Sequence, residues 1–378
     1  MFEAGIVNLS MKQEFNHGAF SRKHSDSVLL KIHTKGIDGI GECAPRKYVT
    51  GEDCKFVLNC LQHIEWNKFI QKIDFSSSRA AVESYQKTAE KEKWSTYLNV
   101  SCVIELAVLD LIGKYFGKSV RELLMETFEQ KELPNINQKC INTSQVYDLS
   151  MNINEFLEER KPFTFVKVKA TNQLEENEFV LKTLRNQLGF QIPISMDANM
   201  SWSFETACYM IKHLKKYQPA FYEEPLKPRN WEEYQKLRKE TGASILLDES
   251  SCSMKDLKQS VVNQSCDAIN VRISKNGGLL SAVRMILLCK EYGLSYQIGA
   301  QVAEIGPLVA AGRQLAYLFD DYMTFEGGQQ ERFFDEFMVK PMPLVNRKTN
   351  QISYLPGDGL GIMLEKDYKK YFTEVIEG

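Results

Sequence analysis

The alternation of apolar and polar positions gives the chain two textures. From residue 1 to about 60 the pattern is one of strands and turns. Ser27-Val28-Leu29-Leu30-Lys31-Ile32-His33 is β-rich, Lys35-Gly36-Ile37-Asp38-Gly39 has hairpin-turn composition, and Ile40-Gly41-Glu42-Cys43 resumes as strand. From Asp53 the spacing becomes helical. Residues 102–111 carry apolar side chains on most faces, which predicts a buried helix. Gly113 and Gly117 punctuate that helix before a further helical turn over 119–124.

After about residue 135 short β-rich runs alternate with amphipathic stretches of helical period. The pairs are 163–168 with 177–188, 192–196 with 204–216, 220–222 with 230–241, 244–247 with 254–264, 268–273 with 279–291, and 295–298 with 306–319. Strand runs alternating with helices of this length predict βα units around a parallel sheet. Six units at a steady pitch fit a closed barrel better than an open sheet. The rhythm stops after Pro341, where the chain is expected to leave the barrel and return to the N-terminal part.

Five charged residues sit just after successive strand runs: Lys169, Asp197, Glu223, Asp248 and Lys275, at intervals of 25 to 28 residues. One βα unit per interval puts all five at the C-terminal ends of neighbouring strands, the face where barrel active sites form. Three carboxylates in one mouth repel one another unless a cation joins them, and Mg²⁺ suits a few carboxylates with waters and substrate oxygens. A metal-chelated substrate carboxylate has an acidified α-proton and an enediolate that the metal holds. Lys169 and Lys275, on opposite sides of the arc, are placed to address the two faces of that carbon, their pKa values drawn toward working pH by nearby cations. Singly, an acid after a strand is most often a helix cap or a loop charge. Five in register are not independent accidents.

Composition narrows the reading. A formal net charge of -2 over 378 residues gives no support to a general nucleic-acid or membrane surface. No apolar run approaches the ~18 residues of a bilayer span, and the N-terminus lacks a signal-peptide pattern. Nine scattered cysteines without a CxxC pair point to reduced thiols, so a cytoplasmic protein is expected.

In Lys167-Val168-Lys169, Met196-Asp197-Ala198-Asn199, Tyr222-Glu223-Glu224-Pro225, Leu247-Asp248-Glu249-Ser250 and Ser274-Lys275-Asn276-Gly277-Gly278 the sequence resembles the enolase superfamily, in its muconate lactonizing enzyme subgroup (the mandelate racemase/muconate lactonizing enzyme family). Gly39-Ile40-Gly41-Glu42 and Ala107-Val108-Leu109-Asp110-Leu111 match that family's N-terminal domain. The resemblance implies an α/β fold, a modified TIM barrel (β/α)7β over residues 131–340, under an α+β capping domain of residues 1–130 completed by the tail 341–378. It implies Mg²⁺ (or Mn²⁺) on Asp197, Glu223 and Asp248, with Glu224 at a position that is often glutamine. Lys169 and Lys275 match the acid/base pair, with Lys167 as helper and with Asn199 and Glu249 supporting the ligands. The implied reactions are cycloisomerisation, dehydration to o-succinylbenzoate, N-acylamino acid racemisation and dipeptide epimerisation. A small carboxylate substrate and a homo-oligomer are implied as well.

Specificity in this family resembles a lid problem. Residues 15–23 and 44–52 have the composition of such lids. Arg22 and Arg46 (with Lys47) are candidates to pair with a distal carboxylate, and Tyr48 lies among them. At the other end, 298–301 reads as the seventh barrel strand and brings Gln301, while 323–326 reads as the eighth and brings Glu326. Glu326 falls where the family's cycloisomerases carry a glutamate. The dipeptide epimerases carry a D-x-D pair near this strand, whereas this chain has Asp320-Asp321-Tyr322, which shifts weight away from dipeptides. The leading expectation is therefore a Mg²⁺-dependent isomerase, a racemase/epimerase or cycloisomerase. The alternatives are an o-succinylbenzoate synthase-like lyase and a non-catalytic binding protein of the same descent. A barrel glycosidase also uses paired carboxylates, but leaves the two lysines without a role.

Overall fold

The structure, a computed structural model, describes residues 1–17, 20–128, 133, 139–148 and 150–378, with the side chains of 13–17 and 20–22 left out. The N-terminal strands are β1 (Phe2–Val7), β2 (Ser10–His17), β3 (Phe20–His24), β4 (Ser27–Thr34) and β5 (Ile37–Cys43). β4 and β5 pair antiparallel through a turn at Lys35 and Gly36, whose φ values of 52° and 76° are those of the tight hairpin turns that match strand twist. The expected five-residue turn is thus a two-residue one.

Six helices follow: α1 (Lys47–Thr50), α2 (Cys54–Gln62), α3 (Trp66–Gln71), α4 (Ser78–Ala89), α5 (Leu98–Phe116) and α6 (Val120–Thr127). Asp53 caps α2 by accepting from the Phe56 N–H. The expected buried helix is α5, and it lies directly on β5. A Cβ at Gly39 would meet the Ala107 carbonyl at 2.2 Å, and one at Gly41 the Val103 carbonyl at 2.1 Å. Only glycine lets the helix backbone come so close to the strand. Gly113 does not interrupt α5. The helix runs through it to Phe116 and ends at Gly117, at φ 64°. Gly113 instead admits the Gly359 backbone, whose Cα lies 2.7 Å from where a Cβ would stand.

The second part alternates strand and helix: β6 (Cys140–Asn142), β7 (Gln145–Tyr147), α7 (Ile153–Glu159), β8 (Val166–Lys169), α8 (Leu174–Leu188), β9 (Ile194–Asp197), α9 (Phe204–Leu214), β10 (Tyr222–Glu223), α10 (Trp231–Thr241), β11 (Ile245–Leu247), α11 (Met254–Val262), β12 (Ala268–Val271), α12 (Leu279–Glu291), β13 (Ser295–Ile298) and α13 (Pro307–Ala316). β7 to β13 form one parallel sheet in sequential order. Phe325 makes parallel bridges to both Ile298 and Thr143, joining the last strand to the first and closing the barrel as the sequence predicts. The expected eighth strand is this bridge at Phe325. The seventh strand is β13, and Gly299 to Gln301 lie beyond its ladder. At Gly299 a Cβ would stand 2.1 Å from the Asn270 side-chain oxygen.

The chain ends in β14 (Val339–Lys340), β15 (Gln351–Ser353), β16 (Met363–Leu364) and β17 (Phe372–Glu377). β17 pairs antiparallel with β1, so the N-terminal sheet has the order β17-β1-β4-β5. Glu42, at the end of β5, ties that sheet to the barrel. It is wholly buried and accepts from the Ile305, Gly306 and Leu308 N–H groups at 2.8, 3.2 and 3.0 Å, and from the Ser27 hydroxyl at 3.0 Å. Burial outweighs these donors and pushes its carboxyl up to about 7. All nine cysteines are free thiols, six of them buried. Among the described residues no helix is long and apolar enough to cross a membrane.

Candidate active site

Strand register assembles the site. Lys169 pairs across the ladder with Asp197, and Asp197 with Glu223, so three charged residues stand level on β8, β9 and β10. Glu223 is the register partner of Leu246. Asp248 therefore stands two residues above that level, and the period of two keeps it on the same face. Lys275 follows β12 in the turn that ends at Gly278. Lys167, two residues before Lys169, shares its face.

Each carboxylate holds a cation of the protein. Lys169 Nζ is 2.6 Å from Asp197 Oδ2 and donates to Asn199 Oδ1 at 2.9 Å. Asn199, at φ 45°, also donates its backbone N–H to Asp197 Oδ1. Lys167 Nζ lies 2.7 Å from Glu223 Oε2, 2.5 Å from Glu326 Oε1 and 3.9 Å from Asp197 Oδ2. Asn270 donates to Glu223 Oε1 at 2.9 Å. Lys275 Nζ donates to Asp248 Oδ1 at 2.7 Å and to the Asp248 carbonyl. Arg272 grips the same carboxylate, with Nε 2.9 Å from Oδ1 and a second nitrogen on Oδ2, while its third reaches Gln301 Oε1 at 2.7 Å.

These surroundings pull the two buried lysines apart. Burial, then the Arg272 guanidinium, hold the Lys275 ammonium down to about 8. Burial also opposes the charge on Lys167, but Glu223, Glu326 and Asp197 outweigh it and the group is raised. Lys275 can therefore exchange a proton near neutral pH, whereas Lys167 stays a fixed positive charge. Glu223 is raised chiefly by burial. Glu249 is pushed up to about 8 by burial, then by Glu224 and Asp197.

Among the described residues no three acidic, thiol or imidazole groups converge on one point as they stand. The donor chemistry nonetheless fits a divalent ion. Three buried carboxylates project from three neighbouring strands, and the Lys167 ammonium already lies within 4 Å of two of them. A positive charge is thus accommodated where a metal would sit.

The cavity at this end of the barrel is lined by Lys167, Lys169, Asp197, Asn199, Asp248, Arg272, Gln301 and Glu326, with Arg46 and Tyr48 from the N-terminal part. Glu223 and Lys275 stand behind this lining. Lys275 is completely buried beneath Asp248. Arg46 reaches the cavity with its guanidinium engaged on the carbonyls of Asp26, Pro45 and Val302, so it fastens the N-terminal part to the loop after β13. The Arg22 side chain lies outside the described residues. Asp321 holds Tyr296 and Lys290. Three cavity residues carry no signal in the spacing of the strands: Arg272, which falls inside a strand run, Asp148 and Arg332. Glu224 was visible only as a neighbour of Glu223, yet it fastens the Asp248 backbone.

A parallel barrel with carboxylates and lysines at the C-terminal ends of its strands defines a class of acid/base enzyme built around a cation. The chain belongs to the family described as Enolase C-terminal domain-like, which matches residues 150–368. The resemblance to the enolase superfamily therefore holds. The chain is 25% identical over 345 residues to an L-amino acid-D/L-Glu epimerase of Francisella philomiragia, covering 85% of this chain and 93% of that protein. Its fold is similar to the N-succinyl Arg/Lys racemase of Bacillus cereus, with a TM-score of 0.83 and 18% identity over 100% of this chain and 99% of that one. It is also similar to a dipeptide epimerase of Cytophaga hutchinsonii complexed with Mg and D-Ala-L-Val, at a TM-score of 0.82 and 22% identity over 99% and 98%.

Proposed function

We propose that this protein is a Mg²⁺-dependent isomerase that moves the proton α to a carboxylate of a small substrate. Asp197, Glu223 and Asp248 hold the ion, and Lys169 and Lys275 exchange the proton. The observation that carries this reading is the arc itself: two lysines flank three acids on five successive strand ends, and each lysine lies within hydrogen-bond reach of a terminal acid.

A divalent ion bound to the three acids supplies positive charge to the substrate's carboxylate as negative charge develops on it. The chain's own residues do the rest. Lys167 keeps a permanent positive charge between Glu223 and Glu326 and fixes the inner wall. Asn199 aims Lys169. Lys275, held near 8, donates to both Asp248 Oδ1 and the Asp248 carbonyl, and turns to the substrate by giving up the carboxylate contact. One lysine takes the α-proton from one face, and the other returns a proton to the opposite face. Names among the relatives, epimerase and racemase, support inversion at carbon over loss of water.

Incubation in D₂O with Mg²⁺ and a panel of N-acylamino acids, dipeptides and unsaturated diacids tests this, with α-deuterium read by mass. At least one member is expected to gain a single deuterium in a metal-dependent way. A panel without any exchange removes the basis of the reading.

A further inference from the structure

Lys275 stands in the turn between β12 and α12, and the N-terminal part holds that turn. Three residues of α5 meet it. A Cβ at Gly277 would stand 3.3 Å from Leu98 Cδ2. The Ser274 hydroxyl donates to Asn99 Oδ1 at 2.7 Å. Glu105 Oε1 accepts the Leu280 N–H at 2.9 Å, where α12 begins. At Gly278, with φ 122°, a Cβ would stand 2.2 Å from that carboxylate oxygen, so only glycine admits Glu105.

The same two side chains fasten the segment 44–52, whose composition is that of a lid. The Ser274 hydroxyl accepts the Ala44 N–H at 2.8 Å, and Asn99 Nδ2 donates to the Thr50 hydroxyl at 2.9 Å. Glu52 accepts the Leu98 and Asn99 N–H groups, each at 2.7 Å. This segment is therefore a strap, bonded to α5 and to the Lys275 turn. On the other side of Lys275, Asn276 donates to the Ser251 and Cys252 carbonyls, each at 3.0 Å. Both sequence neighbours of Lys275 are thus pinned, one to the N-terminal part and one to the loop after β11. Ser274 and Asn99 are each 1% exposed, so water does not replace their bond when it is lost. Lys169 is held differently, by strand pairing of β8 with β7 and β9.

A misplacement of about 1 Å, even from a change far from the chemistry, costs about a hundredfold in rate. We propose that the Asn99–Ser274 hydrogen bond is a positioning element for Lys275. Through it the N-terminal part sets the reach of one of the two lysines and leaves the other alone. The role of Lys275 in proton transfer rests on the reading above.

The test follows α-proton exchange of each enantiomer of a substrate in D₂O with saturating Mg²⁺. It compares wild type, Lys275→Ala, Ser274→Ala, Asn99→Leu and the Ser274→Ala/Asn99→Leu double variant. Each single positioning variant is expected to slow, by about tenfold to a hundredfold, the exchange of the enantiomer that Lys275→Ala no longer exchanges. The other enantiomer keeps its rate, which also shows that the variant is folded. The double variant loses no more than the worse single one, because one bond is removed once. Equal loss for both enantiomers, no loss for either, or additive losses overturns the proposal. A crystal structure of Asn99→Leu gives a reading without substrate: Lys275 Nζ is expected to move about 1 Å away from the Asp248 carbonyl. An unmoved Lys275 overturns the proposal whether or not any compound exchanges. A displaced Lys275 in a protein whose wild type exchanges nothing supports the positioning and counts only against the proton-transfer reading.

Discussion

The Glu224 carboxylate accepts the backbone N–H of Asp248 at 2.6 Å, so the residue after one barrel strand fixes the residue after the next. Its other contacts are the Ser250 N–H at 3.1 Å, the Ser250 hydroxyl and the Tyr234 hydroxyl at 3.0 Å. Glu224 itself stands at φ 36°, a backbone region that a non-glycine residue holds only when its surroundings enforce it. Asp248 is thus clamped by its N–H from one side and by Lys275 on its carbonyl from the other.

Glu224→Ala should loosen that clamp, because the Asp248 and Ser250 N–H groups then lose the oxygen they share. We expect Mg²⁺ affinity to fall about tenfold or more, the usual effect of losing a residue that orients a ligand. Stability should fall as well, by the cost of unpaired buried donors, about 1–3 kcal/mol. Calorimetry and thermal denaturation read the two effects separately.

Arg272 competes with any metal for Asp248, since it pairs with both carboxylate oxygens. Arg272→Met should therefore raise the affinity for Mg²⁺ in the absence of substrate. The gain in melting temperature on adding a fixed Mg²⁺ concentration should be larger in the variant than in wild type, by mass action. An unchanged or smaller gain would show that Arg272 does not hold Asp248 against the ion.

Glu42 gives a pH dependence of stability. Its carboxyl is raised from 4.5 to about 7 in the folded protein, chiefly by burial. The folded state therefore keeps a proton that the unfolded state gives up. The contribution is fully present below pH 4.5 and is lost as pH rises toward 7, after which it is flat. At about 1.4 kcal/mol per unit, the stability difference between wild type and Glu42→Gln should fall by roughly 3 kcal/mol across that window. Urea denaturation of both proteins at pH 4.5, 6 and 8 measures it, and parallel profiles would exclude the effect.

The barrel was legible because its strands are short apolar runs separated by helices with clear caps, such as Ser203 before α9 and Ser253 before α11. What the pattern did not give was β7, where Gln145-Val146-Tyr147 has a single aliphatic residue; the eighth strand, placed at 323–326, is reduced to the two bridges of Phe325. Among the site residues, Lys169, Asp197, Glu223, Asp248 and Lys275 share a rhythm that a linear reading can find. Their partners do not. Arg272 sits inside what reads as a strand run, and only the three-dimensional path shows it turned onto Asp248. Arg46 illustrates the opposite case: a loop cation that composition offers to a ligand is engaged by carbonyls of its own chain. The missing D-x-D pair was read against dipeptides, yet a relative of similar length is named as an epimerase.

The most direct test of the central claim compares wild type with Lys169→Ala and Lys275→Ala on a substrate found by deuterium exchange. Both enantiomers are followed in D₂O with saturating Mg²⁺, with exchange and inversion measured together. The two-lysine account predicts that each variant loses inversion by a factor of about 10² to 10⁴, the usual worth of a general acid or base. Each variant should still exchange the α-proton of one enantiomer with retention, and the two should do so for opposite enantiomers. Full inversion in either variant, or both variants retaining exchange for the same enantiomer, would contradict it.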